Sequence, residues 1–373
     1  MRTLIMLLAV LCVLPLKAAD NLVLVTIDGL RWQEVFYGAD QQMLKDKTLV
    51  KHPDLMAPRF GAEDHTIARS VLMHFMWQTI AREGALMGNR DKGPGMSVAN
   101  PWFFSYPGYS EILTGIVDES IDSNAPVPNA NVTFLEWLSA RPEYGKKLAL
   151  FGSWDVFPAI VNHERSGLHV NAGFMPASGY PLGDDIALLN QLQKEIPSPW
   201  HNVRLDAFTH RYALDYLKQV KPRVMVIAYG ETDDFAHDGQ YDQYLMAARR
   251  TDNFIADLWH TLQSMPEYRN NTNLIITTDH GRGSSKADWQ HHSSRRALSG
   301  YMSSLQQFPE GIVGSDKVWL AAMGPDIKPV GVWRPKTEIY STQIVPTILT
   351  LLGESAEAFN PEGAAVISEV IKP

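Results

Sequence analysis

Long apolar runs recur along this chain, and most of them end in a cluster of polar residues. Runs rich in Val, Ile and Leu, without alternating polar positions, are typical of strands buried on both faces of a parallel sheet. They predict strands within residues 21–29, 147–155, 223–233, 273–281 and 317–326.

Segments with a helical period lie between or after these runs, at residues 204–220, 241–265 and 338–353. The last of them ends on Gly353, and glycine is common at helix C-termini. Strands that alternate with helices predict an α/β fold with a mostly parallel sheet. In such folds ligands bind at the carboxyl ends of the strands.

The 373 residues are enough for one large α/β domain, and the sequence has no internal repeat or low-complexity tract. Residues 155–203 are rich in Pro, Gly and Asn and lack a clear period. We therefore predict a single domain over residues 19–373, in which residues 155–203 form an insertion or a lid over the sheet.

The first 18 residues have the pattern of a secretory signal peptide. Arg2 precedes an apolar run from Leu4 to Leu16, and Ala18 and Ala19 offer small residues for cleavage. The apolar run is shorter than the roughly 20 residues that span a bilayer, so no stable membrane anchor is expected. The pattern predicts a signal peptide over residues 1–18 and a periplasmic or secreted protein.

The charge of the chain argues against a nucleic-acid-binding protein, and its cysteine content excludes a thiol-dependent enzyme. Without Arg2 and Lys17 the mature chain would carry 31 basic and 41 acidic residues, a formal charge of −10. This excess argues against nucleic acid as a bulk electrostatic partner. Cys12 is the only cysteine, so the mature chain would have no disulfide and no thiol nucleophile.

Carboxylates and imidazoles gather where the predicted strands end. Asp233 and His237 are four residues apart, which on a helical turn places both side chains on one face, where they can bind one metal ion. Other ligand types follow other strands, namely Asp28, Asp279, His280, His291 and His292. Because parallel strands end at the same edge of a sheet, the sequence predicts a metal site at that edge.

Ser105 is the candidate nucleophile. Pro107 suits the first turn of a helix, so Ser105 lies at or just before a helix N-terminus, where free N–H groups favour a phosphoryl oxygen. Aromatic residues flank this turn and either line an apolar slot for a leaving group or, more simply, pack as core behind it. They are Trp102, Phe103, Phe104, Tyr106 and Tyr109.

Together these stretches resemble the alkaline phosphatase superfamily, and within it the type I phosphodiesterase and nucleotide pyrophosphatase branch. The resemblance runs through VTIDGLR, SYPGYSEILTG, GETDDFAH, TTDHGRG, GPD and TQIVPTILTLLG, and so covers nearly the whole mature chain. It implies an alkaline-phosphatase-like three-layer α/β/α sandwich around a mostly parallel central sheet, with two divalent metal ions.

Carried over by position, the resemblance implies two sets of metal ligands. One ion would be held by Asp233, His237 and His292, with His291 as the alternative to His292. The other would be held by Asp28, Asp279, His280 and the nucleophile Ser105. Zinc suits this mixture of ligands best, with manganese as the alternative.

The implied activity is hydrolysis of a small phosphoric ester by a secreted enzyme. Ser105 would attack phosphorus in line and carry a phosphoseryl intermediate. Asn124, which follows Ser105 by 19 residues, corresponds to an asparagine that contacts a phosphoryl oxygen. A phosphodiesterase or nucleotide pyrophosphatase is the favoured activity, and a phosphomonoesterase or phosphonate hydrolase is the alternative within the superfamily.

Two further alternatives are less favoured. A sulfatase needs an arginine four residues after the residue that is converted to its nucleophile, whereas this chain has Tyr109 there. A catalytically inactive metal-binding module would have lost at least one ligand or the nucleophile, whereas each is present. The sequence leaves the natural substrate and the oligomeric state open.

Overall fold

The computed structural model describes residues 18–373. The predicted signal peptide, apart from Ala18, lies outside the described residues. No helix within residues 18–373 is both long enough and apolar enough to cross a membrane.

Most strands join one central sheet with the order β10-β2-β9-β7-β1-β6-β4-β5, and three short ones form a second sheet with the order β11-β3-β8. The strands of the described chain are β1 (Asn21–Ile27), β2 (Ala85–Met87), β3 (Met96–Ser97), β4 (Leu148–Gly152), β5 (His169–Ala172), β6 (Val224–Tyr229), β7 (Thr272–Thr277), β8 (Lys317–Val318), β9 (Leu320–Met323), β10 (Gly331–Val332) and β11 (Ile339–Tyr340).

The middle of the central sheet is parallel. β1 pairs in parallel with both β6 and β7, so that Thr26 lies opposite Ala228 on one side and Thr277 on the other. β4 continues this parallel set beside β6, whereas β9 runs antiparallel between β2 and β7. The carboxyl ends of β1, β6 and β7 therefore lie side by side, as the apolar runs predict.

Helices cover both faces of this sheet. They are α1 (Trp32–Tyr37), α2 (Gln41–Leu44), α3 (Pro53–Phe60), α4 (His65–Leu72), α5 (Ala81–Glu83), α6 (Ser105–Thr114), α7 (Phe134–Ser139), α8 (Phe157–Ile160), α9 (His163–Ser166), α10 (Ile186–Glu195), α11 (Asp206–Val220), α12 (Glu231–His237), α13 (Tyr241–Ser264), α14 (Ile344–Leu351) and α15 (Ala356–Phe359).

Alternate residues of β1 face two different helical layers. Val23 and Val25 pack in one apolar cluster with α11 and α13, whereas Leu22 and Leu24 pack in a second cluster with α6 and α14. Burial of each such side chain contributes about 1.5–3 kcal/mol. The result is the three-layer α/β/α sandwich around a mostly parallel sheet that the sequence predicts.

Two predicted elements are divided differently in the structure. The run 317–326 forms β8 in the small sheet and then β9 in the central sheet. The segment 338–353 is α-helical only from Ile344, after a 3-10 helix at Ser341–Gln343. The carboxylate of Glu338 accepts hydrogen bonds from Arg90 and Ser97 and holds β11 against β3. Gly353 follows the helix with φ of +74°.

Residues 155–203 are more than a loop. They include helices α8, α9 and α10 and also β5, which extends the central sheet by pairing in parallel with β4. The two ends of the segment meet, since Trp154 and Val203 form an antiparallel bridge and Asp155 N donates to Asn202 O at 2.9 Å. The segment therefore leaves and re-enters the fold beside the carboxyl end of β4, and its action as a lid stays a prediction.

Candidate active site

The predicted Asp and His ligands come from the ends of two strands, from the helix that follows a third strand, and from one loop. Asp28 follows β1, Asp279 and His280 follow β7, and Asp233 and His237 lie on α12, which begins directly after β6. His292 lies in the loop after β7. The parallel register of β6, β1 and β7 brings these residues together at one edge of the sheet.

Asp233, His237 and His292 form the first possible metal group. His237 Nε2 lies 3.2 Å from Asp233 Oδ2 and 3.0 Å from His292 Nε2. His292 Nε2 lies 3.7 Å from Asp233 Oδ1. Three ligand atoms therefore lie close together. As the sequence predicts, the spacing of four residues on α12 places Asp233 and His237 side by side on one face of the helix.

Asp28, Asp233 and His280 form the second possible group, with Asp279 beside it. His280 Nε2 lies 3.4 Å from Asp28 Oδ1, 3.4 Å from Asp279 Oδ2 and 3.6 Å from Asp233 Oδ1. The two groups share Asp233, so they lie next to each other.

The second group has more buried negative charge than its own side chains can satisfy. Asp28 Oδ1 and Asp279 Oδ2 are buried and accept no hydrogen bond within the described residues. One N–H on His280 faces three carboxylates and can serve only one of them. A buried carboxylate without a partner is costly, so the donor set fits a bound cation.

The pKa directions follow from the same crowding. Burial and the charge of Asp28 raise the pKa of Asp279 well above its usual value. Burial lowers the pKa of His280, but the carboxylates of Asp279 and Asp28 outweigh it and raise the pKa to about 9. Burial also opposes ionisation of Asp233, yet Arg282 and His237 hold the pKa of its carboxyl well below the usual range. Charge in this cluster is balanced only by neighbouring charge.

Ser105 is the first residue of α6 and is 5% exposed. Its Oγ lies 3.3 Å from His280 Nε2, at the edge of the second ligand group. Gly108 allows this approach, because a Cβ there would lie 2.4 Å from the carbonyl oxygen of Asp279. The hydroxyl thus lies at a helix N-terminus and beside the predicted ligands.

Asn124 lies against the same turn. Its Oδ1 accepts a hydrogen bond from the backbone N–H of Tyr106 at 2.9 Å. Its side chain also lines the cavity above Ser105. Since Oδ1 is engaged by the backbone, the amide Nδ2 is the atom available to a phosphoryl oxygen.

A cavity of about 410 Å³ opens over Ser105 and the ligands Asp28, Asp233 and His237. Its outer walls include both ends of the 155–203 segment, through Trp154, Asp155 and His201, and also Tyr301. No lysine or arginine of residues 18–373 lines it. These wall residues could not be identified from the sequence, because nothing in their local pattern shows that distant segments meet here.

Three of the five aromatic residues around Ser105 are buried in the core, since Phe104, Tyr106 and Tyr109 are at most 2% exposed. Phe103 is partly buried against the same core, and the ring of Trp102 lies against Arg296. None of the five lines the cavity, so they do not form an apolar slot there.

Two side chains hold ligands in place and were not assigned from the sequence. Tyr109 donates from its hydroxyl to Asp28 Oδ2 at 3.0 Å. Arg282, which is buried, pairs with the carboxylate of Asp233 and donates to the Asp233 carbonyl oxygen at 3.0 Å. Arg282 is part of the TTDHGRG stretch, so its place two residues after His280 was a signal for such a role.

The structure separates His292 from its alternative His291. His292 is 1% exposed and faces His237 and Asp233, whereas His291 Nε2 contacts the amide of Gln290 and its ring lies near Phe308. The geometry therefore favours His292 as the third residue of the first group.

Comparison with known proteins agrees with this fold. The family described as type I phosphodiesterase / nucleotide pyrophosphatase matches residues 114–299. No curated protein sequence matches the chain.

Solved structures share the fold at low sequence identity. A 2-O GAG sulfatase is 15% identical with a TM-score of 0.56, over 95% of this chain and 74% of its own. The alkaline phosphatase PafA is 12% identical with a TM-score of 0.56, over 95% of this chain and 99% of its own. The lipoteichoic acid synthase LtaP from Listeria monocytogenes is 10% identical with a TM-score of 0.53, over 91% and 73%.

A three-layer α/β sandwich with clustered metal-ligand residues at its strand ends defines the class of protein. The chain has the fold of the alkaline phosphatase superfamily, and the known members of that superfamily are hydrolases that typically depend on metal ions. Within that superfamily its match is to the type I phosphodiesterase / nucleotide pyrophosphatase family.

Proposed function

We propose that this protein is a metal-dependent phosphodiesterase that uses Ser105 as its nucleophile. The observation that carries the proposal is the position of Ser105, at the N-terminus of α6, 3.3 Å from His280 and beneath a cavity that also contains Asn124. Backbone N–H groups at a helix N-terminus stabilise negative charge on phosphoryl oxygens.

Two divalent ions fit the ligand set, with zinc favoured and manganese as the alternative. One would be held by Asp233, His237 and His292, and the other by Asp28, Asp279, His280 and Ser105. Bound there, they would act as Lewis acids toward the phosphoryl group and lower the pKa of the serine hydroxyl.

The remaining roles in the two chemical steps fall to side chains of this protein. Ser105 Oγ attacks phosphorus, the bond to the leaving alcohol breaks, and a phosphoseryl intermediate forms. Asn124 holds a non-bridging oxygen through its amide Nδ2, and the backbone N–H of Ser105 is the donor that α6 offers to the same phosphoryl group, because Tyr106 N donates to Asn124 and Gly108 N donates to Phe104 O. Water then hydrolyses the phosphoseryl bond and restores the hydroxyl of Ser105.

The charge of the cavity favours a diester over a monoester. A phosphomonoester dianion carries one more negative oxygen than a diester and needs another cationic partner. The cavity offers the neutral amide of Asn124, and no lysine or arginine of the described chain lines it. A diester replaces that extra charged oxygen by a neutral ester group, which such a cavity accommodates.

The proposal is tested by assaying the mature protein with zinc or manganese on bis-p-nitrophenyl phosphate, p-nitrophenyl phosphate and p-nitrophenyl sulfate. We expect the diester to be hydrolysed fastest, and Ser105→Ala to abolish that activity. Ser110→Ala is the matched control, because Ser110 lies on the same helix but contacts Asn129 away from the ligands. Faster hydrolysis of the monoester would move the protein to the phosphatases, and faster hydrolysis of the sulfate to the sulfatases.

We further propose that the protein acts in the periplasm or outside the cell. The support is the signal-peptide pattern of residues 1–18. Expression of the full chain in a Gram-negative host, followed by fractionation and N-terminal mass spectrometry, tests this. A mature chain that begins at Ala19 in the periplasmic fraction is expected, and an intact cytoplasmic chain would contradict it.

A further inference from the structure

Phe103, two residues before Ser105, has a backbone conformation that aromatic residues rarely adopt. Its φ is +60°, in the left-handed region. For a residue with a bulky side chain this conformation is strained. It persists only where surrounding contacts fix it, and at Phe103 those contacts lead to a predicted metal ligand.

The carbonyl oxygen of Phe103 contacts His292. His292 Nδ1 lies 3.1 Å from it. A carbonyl can only accept, so this hydrogen bond needs the proton on Nδ1 and leaves Nε2 with a free lone pair. That Nε2 faces His237 and Asp233, where the first metal group lies.

A buried asparagine holds the strained turn. Asn100 Oδ1 accepts hydrogen bonds from the backbone N–H groups of Trp102 and Phe103, both at 3.1 Å. Asn100 is 1% exposed. These two bonds hold the turn at Phe103 and direct its carbonyl toward His292.

A buried glutamate holds the asparagine in turn. Glu111 is 1% exposed and forms no ion pair within the described chain. Its Oε2 accepts from Asn100 N at 2.8 Å and from Asn100 Nδ2 at 2.9 Å, and its Oε1 accepts from Ala99 N at 2.8 Å. Glu111 lies on α6, the helix that begins with Ser105. A buried charge stabilised only by neutral N–H donors is unusual and indicates a positional role.

We propose that Asn100 and Glu111 are positioning residues that link the nucleophile helix to the histidine ligand. Glu111 fixes Asn100, Asn100 fixes the turn at Phe103, and the Phe103 carbonyl selects the tautomer and the orientation of His292. Hydrogen bonding of this kind to the second nitrogen of a ligand histidine changes metal affinity or activity by about 10–100-fold. The inference rests on the proposed role of His292 as a ligand.

The test compares Asn100→Ala with Asn129→Ala. Asn129 is also buried and also contacts α6, through Ser110, but it does not reach the turn at Phe103. Both variants lose a buried amide, so both should lose stability. Only Asn100→Ala should bind zinc about 10–100-fold more weakly by competition with a chromophoric chelator, and lower kcat with little change in KM.

A second readout does not depend on activity or on metal. Nitrogen-15 NMR of the metal-free protein reports the tautomer of His292 directly. We expect the Nδ1–H form in the native protein and in Asn129→Ala, and a mixture of tautomers in Asn100→Ala.

The outcomes separate this inference from the proposed function. If zinc affinity and the His292 tautomer in Asn100→Ala equal those of the native protein, the linkage is wrong, whatever the protein hydrolyses. If both change while no phosphodiester is hydrolysed by the native protein, the linkage stands and the proposed function fails. Should Asn100→Ala not fold, Glu111→Gln replaces it, because a carboxamide has one acceptor oxygen and cannot accept at both ends from the N–H groups of Ala99 and Asn100.

Discussion

His237 Nε2 and His292 Nε2 lie 3.0 Å apart, although 55 residues separate them along the chain. Asp233 completes this group from one helical turn before His237. The pair of histidines joins α12 to the loop after β7, and through the Phe103 carbonyl the same loop is joined to the turn before Ser105.

The first prediction concerns the two neighbouring histidines. His292→Ala should lower metal affinity and phosphodiester hydrolysis by at least about 100-fold, because loss of a ligand exceeds the 10–100-fold effect of losing a supporting group. His291→Ala should change both by less than about threefold, because its ring contacts Gln290 and Phe308 instead. Metal titration and steady-state kinetics check this, and the reverse order would make His291 the ligand.

Tyr109 gives a second prediction. Its hydroxyl holds Asp28 Oδ2 at 3.0 Å while its ring packs edge-on against Phe157. Tyr109→Phe keeps the ring and removes the hydroxyl, so it should weaken zinc binding about 10–100-fold in a folded protein. Tyr106→Phe is the control, because the Tyr106 hydroxyl donates to the carbonyl of Val127 and not to a ligand. Equal zinc affinity in both variants would mean that the Tyr109 hydroxyl does not support metal binding.

Asp279 should have opposite effects on stability with and without metal. Its Oδ1 accepts from Gly29 N at 3.1 Å, whereas its buried Oδ2 has no hydrogen bond. Asp279→Asn keeps the first contact and removes a buried charge, so the metal-free variant should be more stable by about 1–3 kcal/mol.

In the presence of zinc the native protein should be more stable than Asp279→Asn. Ligand binding at about 100 times Kd stabilises the native protein by about 2.7 kcal/mol, and the variant lacks one charged ligand. Urea unfolding with chelator and with zinc, at pH 8, measures both. An Asp279→Asn variant less stable in both conditions would mean that the native cluster needs no cation.

Asp252 predicts a pH dependence of stability. It is fully buried and accepts from the backbone N–H groups of Phe75 and Met76, and burial raises the pKa of its carboxyl to about 7. Its contribution to the free energy of unfolding is therefore present below about pH 4 and is lost as the pH rises through about 7. Asp252→Asn should flatten this part of the profile.

Asp64 is the control of opposite sign. It caps α4 and is exposed, and hydrogen bonds from Ile67 N and Thr66 N lower the pKa of its carboxyl. Its contribution is present above the usual aspartate pKa and is lost as the pH falls below it. Asp64→Asn should therefore reduce stability at neutral pH and not at low pH. Urea unfolding at about pH 2.5, 4, 5.5 and 7 covers both transitions, and parallel profiles for both variants would contradict the difference.

The sequence by itself determined the elements that carry the site. Unbroken apolar runs require burial on both faces, so β1, β6 and β7 follow from local pattern. Each of these strands ends in a carboxylate or imidazole, and parallel strands end at one edge. The spacing of four residues was sufficient to place Asp233 and His237 on one face of a helix. Pro107 was sufficient to place Ser105 at the start of α6.

The tertiary structure alone decided which distant groups meet. The choice between His291 and His292 depends on the path of a loop that has no period. Tyr109 reaches Asp28, and Phe103 reaches His292, only because α6 packs against the end of β7 at Gly108. The cavity walls come from both ends of the 155–203 segment. Periodicity reports which face of an element is buried, whereas these contacts depend on how separate elements pack, which no local pattern encodes.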